Sequence, residues 1–429
     1  MKNNFQEISL NLNVRGLPQS ATLKINEKSN ELRKQGKHIC KLGLGQSPFP
    51  VPQPVVDALK VNAHQKDYLP VKGLPQLKQA VADYHCRAND ICYSPGNVLI
   101  GPGSKELMFL LQYVYYGDLV IPTPSWVSYA PQAHIIGRPV RWIQTKRENK
   151  WRLTAAELEE HCKSDPNKPR IVILNYPSNP TGVSYTEDEL KEIAEVAREH
   201  KIILLSDEIY GELHHKGKHH SIACFYPEGT IISSGLSKWC GAGGWRLGTF
   251  TFPDSLVALL EALAVMASET FTSTSAPIQY AAIRAFQGGS EIENYLWRSR
   301  WILDKLGSRI SGMLNSDDIY TPKPDGAFYL FPDFSDLKDI MGKKGIKTST
   351  ELCNKLLEET GAALLPGEAF GRPAEELTAR LAYVDFNGTK AISAALQLQN
   401  SDELDDNFLD QYCGGMLKSI NLICDWIKS

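Results

Sequence analysis

No Cys-x-x-Cys pair occurs among the nine cysteines of this 429-residue chain. Its absence excludes a zinc ribbon and argues against a disulfide scaffold, and scattered thiols fit a reducing, cytoplasmic setting. There is no long basic run, and the net charge is -3, so nucleic acid is not an expected partner. No apolar stretch reaches membrane-spanning length, and Met1-Lys2-Asn3-Asn4-Phe5 lacks an apolar signal core, so neither a membrane nor a secretory route is expected. Internal repeats and low-complexity linkers are also missing. The Gly-x-x-x-x-Gly-Lys-Ser/Thr spacing does not occur, which excludes a P-loop. The histidines in His214-His215-Lys216-Gly217-Lys218-His219-His220 are interleaved with lysines. They read as a solvated turn, and no metal is expected.

What remains is the composition of a globular protein, 42% hydrophobic and 22% charged, long enough for two domains. From about residue 55 to 250, helical patterns alternate with short β-branched runs bounded by Gly, Pro, Asn or Asp. The runs are Val98–Ile100, Leu119–Ile121, Ile171–Leu174, Ile202–Leu205, Thr230–Ile232 and Leu247–Phe250. They read as strands buried on both faces of a mainly parallel sheet, which makes the chain α/β. Glu187–His200 reads as an amphipathic helix with Thr186 as its N-cap. Pro253–Leu314 reads as helix, and Gly326–Phe331 as a strand of a smaller α+β region. Ser401–Phe408 reads as an acidic surface insertion before the last helix.

Residues suited to chemistry fall at the carboxyl ends of the runs, where open α/β sheets gather ligands. Lys238 lies among small residues with Arg246 eight positions on. An amine there can form a Schiff base with an aldehyde cofactor, and the arginine can hold that cofactor's phosphate. Gly101-Pro102-Gly103-Ser104-Lys105 follows a strand and opens a helix, which suits a phosphate cradle. In Asn175-Tyr176-Pro177-Ser178-Asn179-Pro180-Thr181-Gly182, the Asn179 amide can donate to an oxyanion. In Ser206-Asp207-Glu208-Ile209-Tyr210, Asp207 can pair with a protonated ring nitrogen and Tyr210 can donate to the same oxyanion as Asn179. Trp126 can stack on a flat heterocycle, and Arg380 offers a planar fork for a carboxylate. Taken singly, each has an ordinary reading as a surface lysine, a turn, a strand-end cap, core packing or a structural ion pair. Together they favour one site.

In this order and spacing, the motifs resemble those of the class I aminotransferases of fold type I, which depend on pyridoxal 5′-phosphate. The resemblance runs from about Ser20 to Asp385. It implies a large cofactor domain over 55–304 with a mainly parallel sheet. It also implies a smaller α+β domain over 305–429, joined by an N-terminal segment over 1–54. Lys238 becomes the Schiff-base lysine and Asp207 the partner of the ring nitrogen, with Asn179 and Tyr210 on the ring oxygen and Trp126 stacked on the ring. Gly103, Ser104 and Arg246 are placed at the phosphate, with Ser237 or Ser234 as a further cofactor contact, and Arg380 and the backbone at Gly45 at the substrate's α-carboxylate. Tyr68 resembles the tyrosine that reaches the phosphate of a neighbouring subunit, which implies a homodimer with shared active sites.

The N-terminal stretch from Leu17 to Gly36 is similar to the bacterial aspartate aminotransferase subgroup. There Ser20, Thr22 and Lys105 match residues that recognise a distal carboxylate, which points to L-aspartate and 2-oxoglutarate. An aromatic, prephenate or broad-specificity aminotransferase and a carbon–sulfur lyase remain alternatives. Gly235 stands where many relatives have a serine, and Gln46-Ser47 replaces the usual Glu-Pro after Gly45.

Overall fold

Short runs with β-branched side chains, apolar on both faces in all but one edge strand, become the strands of one seven-stranded sheet. They are β1 (Val98–Gly101), β2 (Asp118–Thr123), β3 (Val140–Gln144), β4 (Arg170–Asn175), β5 (Ile203–Asp207), β6 (Thr230–Gly235) and β7 (Gly248–Thr251). The structure, a computed structural model, describes residues 9–17, 19 and 21–429, without the side chains of Ala21 and Thr22. Across the sheet the order is β1-β7-β6-β5-β4-β2-β3. Strands β2 to β6 run parallel, and β7 is antiparallel to both of its neighbours. The reversal has a local cause. The loop 236–247 between β6 and β7 holds a 3-10 turn but no α-helix, and a parallel return needs a longer crossover.

β3 escapes the sequence reading. It is an edge strand in which Ile143 alone is buried, so no continuous apolar run marks it. The helix after β4 spans Glu187–Glu199, and its Thr186 cap forms a capping box with Glu189, worth about 1 kcal/mol. The region read as one helical stretch is three helices, Val257–Thr270, Ala276–Gln287 and Ser290–Asn315. The first break is Thr272 at φ 62, and the second is Gly288-Gly289 at φ 70 and 106; neither conformation continues a right-handed helix.

A second, antiparallel sheet contains β8 (Tyr329–Leu330), β9 (Leu365–Pro366) and β10 (Ala379–Ala382) in the order β8-β10-β9. Strand β8 is shorter than the Gly326–Phe331 run suggested. The N-terminal segment joins this part of the molecule: Cys40 bridges Ala362, and Ala382 N–H donates to Leu42 O. Helix Asp406–Lys428 packs on helix Ser290–Asn315. The segment Ser401–Phe408 is acidic and exposed at Asp402 and Glu403, but Leu404 and Phe408 are buried. It is therefore an anchored connection rather than a purely surface insertion.

Two further sequence readings need correction. Cys86 and Cys92 form a disulfide, while the other seven cysteines are free. The helix Pro75–Asn89 ends in a left-handed turn at Asp90, which returns the chain until the two Cα atoms are 4.4 Å apart. The His214–His220 segment is not a plain solvated turn. His215 is buried with Nε2 3.2 Å from Ala327 O, and His219 Nε2 lies 3.0 Å from Glu208. Among the described residues, no helix is long and apolar enough to cross a membrane.

Candidate active site

The register of the central strands builds the floor of the site. Asn175, Asp207 and Ser233 are direct neighbours across β4, β5 and β6. Asp207 receives Tyr129 Oη at 2.5 Å and Ser233 Oγ at 3.3 Å. Asn175 fixes the next layer: its Nδ2 donates to Asp207 O at 2.9 Å, and its Oδ1 accepts Asn179 N–H at 2.7 Å. Burial pushes the Asp207 carboxyl from 3.8 up to about 6, against the hydrogen bonds from Tyr129, Ile209 N–H and Ser233. A buried carboxylate with polar but uncharged partners is poised for a cation.

Above this floor is a cavity of about 440 Å³. The polypeptide brings Lys238, Asp207, Tyr210, Asn179 and Trp126 to its wall, along with Ser104, Lys105, Ser237, Arg246 and Gly45. Larger hollows of about 580 and 770 Å³ lie elsewhere, but neither contains this set. Lys238 Nζ donates to Gly45 O at 2.9 Å and stands 5.6 Å from the centre of the Tyr210 ring. Trp126 is half-buried and meets Tyr129 edge to face at 5.3 Å. Lys105 Nζ lies 5.3 Å from the Trp126 ring, and burial and Arg246 lower its pKa.

At one end, Gly103 precedes the helix Ser104–Val114 at φ 94. A Cβ there would stand 2.3 Å from Arg246 Nη2. The guanidinium therefore lies against the start of a helix whose first N–H groups have no partner within the helix, which suits a phosphate. Arg246 has φ 55 and donates to Gly243 O at 2.8 Å and Pro102 O at 3.3 Å.

At the other end, Arg380 does not open on the wall but stands behind it. Its Nη1 donates to Asn179 Oδ1 at 3.0 Å and its Nη2 to Gly43 O at 2.6 Å, between the rings of Tyr329 and Phe370. Its Nε is buried and has no hydrogen-bond partner among the described residues. Burial lowers its pKa, against the influence of Tyr329 and Tyr210. A buried cation with only neutral partners calls for an anion. The carboxylate Asp207, the cations Arg380, Arg246 and Lys238, and an amine-accessible hollow between them match the functional groups of pyridoxal phosphate and an amino acid.

Besides Arg380 and Gly103, which stand next to the lining rather than in it, three further expected site residues are not placed in the cavity. Tyr68 is 89% exposed and does not line the cavity of its own chain. Ser20 and the Thr22 side chain lie outside the described residues. Conversely, Tyr129, Ser233 and Tyr329 were missed as site residues. Ser233 had a signal, since it stands one strand over from Asp207. Tyr329 had none, because its place depends on the second sheet folding over the first.

A model of the family "Aminotransferase class I and II" matches residues 37–384. An aspartate aminotransferase of Bacillus sp. (strain YM-2) is 34% identical over 86% of this chain and 93% of its own. That of Geobacillus stearothermophilus is 36% identical over 84% and 91%. The aspartate aminotransferase of Thermus thermophilus with maleate superposes with a TM-score of 0.80 at 27% identity, covering 91% of this chain and 98% of that one. Together with the cavity, these likenesses establish that the chain belongs to the class I and II aminotransferases, a family of pyridoxal-phosphate-dependent enzymes.

Proposed function

We propose that the protein transfers the amino group of L-aspartate to 2-oxoglutarate, with pyridoxal 5′-phosphate seated in the 440 Å³ cavity. One observation carries this reading. Lys105, Lys238 and Arg246 line the cavity with Asp207 as its carboxylate, Arg380 stands behind the wall, and the side-chain hydrogen bonds of Lys238, Arg246 and Arg380 go to carbonyl and amide oxygens. That excess of positive charge suits a phosphate and two substrate carboxylates.

The cofactor would supply a carbonyl carbon that condenses with amines and a ring that accepts electrons. Gly103, Ser104 and Arg246 hold its phosphate, with Ser237 beside them. Asp207 keeps the ring nitrogen protonated, and Trp126 covers one ring face. With Asn179 Oδ1 engaged by Arg380, its Nδ2 donates to the ring oxygen together with Tyr210 Oη. Arg380 turns its fork to the α-carboxylate, assisted by the backbone at Gly45. Lys238 Nζ would take the proton from the amino acid's Cα as a general base and deliver it, as a general acid, to the cofactor's former carbonyl carbon C4′. Lys105, with Ser20 and Thr22, binds the distal carboxylate. The donor is supported by the aspartate aminotransferases named above and, independently, by Lys105 beside Trp126. Release of one oxo acid before the next binds gives ping-pong kinetics.

The chain divides into a cofactor domain over 55–304 and a small domain over 305–429, joined by 1–54. The enzyme works as a cytoplasmic homodimer in which Tyr68 completes the partner's phosphate site, a reading supported by its 89% exposure in one chain.

The test is spectroscopic. L-Aspartate added to the loaded protein without any oxo acid should abolish the cofactor's visible band and release oxaloacetate. A band unchanged by aspartate but lost with phenylalanine or alanine would overturn the substrate assignment.

A further inference from the structure

Tyr329 is fully buried, and its hydroxyl lies 2.8 Å from that of Tyr210. The two rings meet nearly perpendicular, with centroids 5.6 Å apart. The same ring lies 4.9 Å from the Arg380 guanidinium carbon. The hydroxyl also presses on the N-terminal segment, since a Cβ on Gly45 would stand 1.9 Å from it. Gly45 O in turn receives Lys238 Nζ. One side chain from the second sheet therefore touches three of the groups that the proposed mechanism uses.

The chemistry of the pair is directional. A phenol has one proton to donate and two lone pairs to accept with. Burial, reinforced by Tyr329, holds the Tyr210 hydroxyl well above the ordinary tyrosine range, so it stays protonated near neutral pH. If Tyr210 gives its only proton to a ligand oxygen, the Tyr329 hydroxyl must be the donor between the two. A hydroxyl that accepts one hydrogen bond donates the next more strongly.

We infer that Tyr329 is a positioning residue for the transamination site: it donates to Tyr210 so that Tyr210 can donate to the cofactor's ring oxygen, while its ring sets the plane of Arg380. The inference rests on the assignment of Tyr210 and Arg380 made above. The hydroxyl and the ring do different things, so they can be removed separately.

In Tyr329→Phe the ring remains and the relay is cut. The ring oxygen then loses part of its stabilisation, and the pH midpoint of the cofactor's visible band rises by about half a unit or more. The kcat falls roughly fivefold, while the KM for aspartate stays near the wild-type value. In Tyr329→Leu the support of Arg380 is lost as well, and KM rises about tenfold or more. Thermal unfolding of Tyr329→Phe near the wild-type temperature keeps the comparison clean.

A wild-type band with the same midpoint in Tyr329→Phe would overturn the inference while leaving the cofactor assignment intact. A KM that rises as much in Tyr329→Phe as in Tyr329→Leu would overturn the division between hydroxyl and ring. A wild-type protein that shows no band with pyridoxal phosphate would instead remove the proposed function, and this inference with it.

Discussion

Arg380 Nη1 donates to Asn179 Oδ1 at 3.0 Å, a contact between residues 201 positions apart. It joins the loop after β4 to strand β10 of the other sheet, so the Arg380 guanidinium and the Asn179 amide are held as one unit. The fork is planar and engaged on both Nη atoms, a geometry that a lysine does not reproduce. Arg380→Lys should lower kcat/KM for aspartate by about 10²–10³-fold and leave cofactor binding almost unchanged. Steady-state kinetics beside a cofactor titration check both halves, and a loss below about fivefold would remove Arg380 from carboxylate recognition.

The Asp207 carboxyl titrates at about 6 in the cofactor-free chain, above its free value of 3.8, because it is buried. The native state therefore holds this proton more tightly than the unfolded chain. That contribution is complete below 3.8 and is lost as pH rises through about 6, a change of about 3 kcal/mol at most. Asp207→Asn has no carboxyl to ionise, so at neutral pH the cofactor-free variant should unfold at a higher temperature than the cofactor-free wild type. With cofactor present the order should reverse, since only the carboxylate pairs with a ring cation. Wild-type cofactor affinity should strengthen as pH rises through about 6, and the variant's should not. Calorimetry across this range, with and without cofactor, tests the sign directly.

Much of this site was legible because it is local in sequence. Strand-end residues such as Asn179, Asp207 and Lys238 follow apolar runs, and parallel strands bring their carboxyl ends to one edge. The wetted edge strand β3 was not legible, because only Ile143 is buried in it. Nor was the disulfide, which depends on a single left-handed residue at Asp90. Tyr329 was hidden for a third reason. Its contacts with Tyr210, Gly45 and Arg380 span three distant segments, and hydrophobic periodicity carries no information about which buried tyrosine faces a cavity.

Gly103 sits at φ 94, and any Cβ added there meets the tip of Arg246 at 2.3 Å. Because the obstacle is a flexible side-chain end, Gly103→Ala should fold, at a cost of about 1–3 kcal/mol for a backbone at φ 94, ψ 149 that only glycine adopts readily. Arg246 must then swing away from the helix start. The expected result is cofactor affinity about tenfold weaker or more, with inorganic phosphate competing less effectively for the cofactor-free protein. Unchanged affinity would place the phosphate elsewhere in the cavity.

Lys105 separates the proposed substrate from its competitors. It lies over Trp126 with a depressed pKa caused by burial and by Arg246, so its charge is partly desolvated and an incoming carboxylate should be felt strongly. Lys105→Met keeps the length of the stem and removes the cation. If Lys105 binds the distal carboxylate, kcat/KM for aspartate should fall by about 10–100-fold, the worth of one hydrogen bond to a charged group. Alanine, which has no second carboxylate, should lose little, so the aspartate-to-alanine ratio collapses. If Lys105 instead serves the phosphate, both amino acids should suffer equally and cofactor affinity should drop with them. Measuring both substrates and the cofactor on one variant therefore decides which anion this lysine holds.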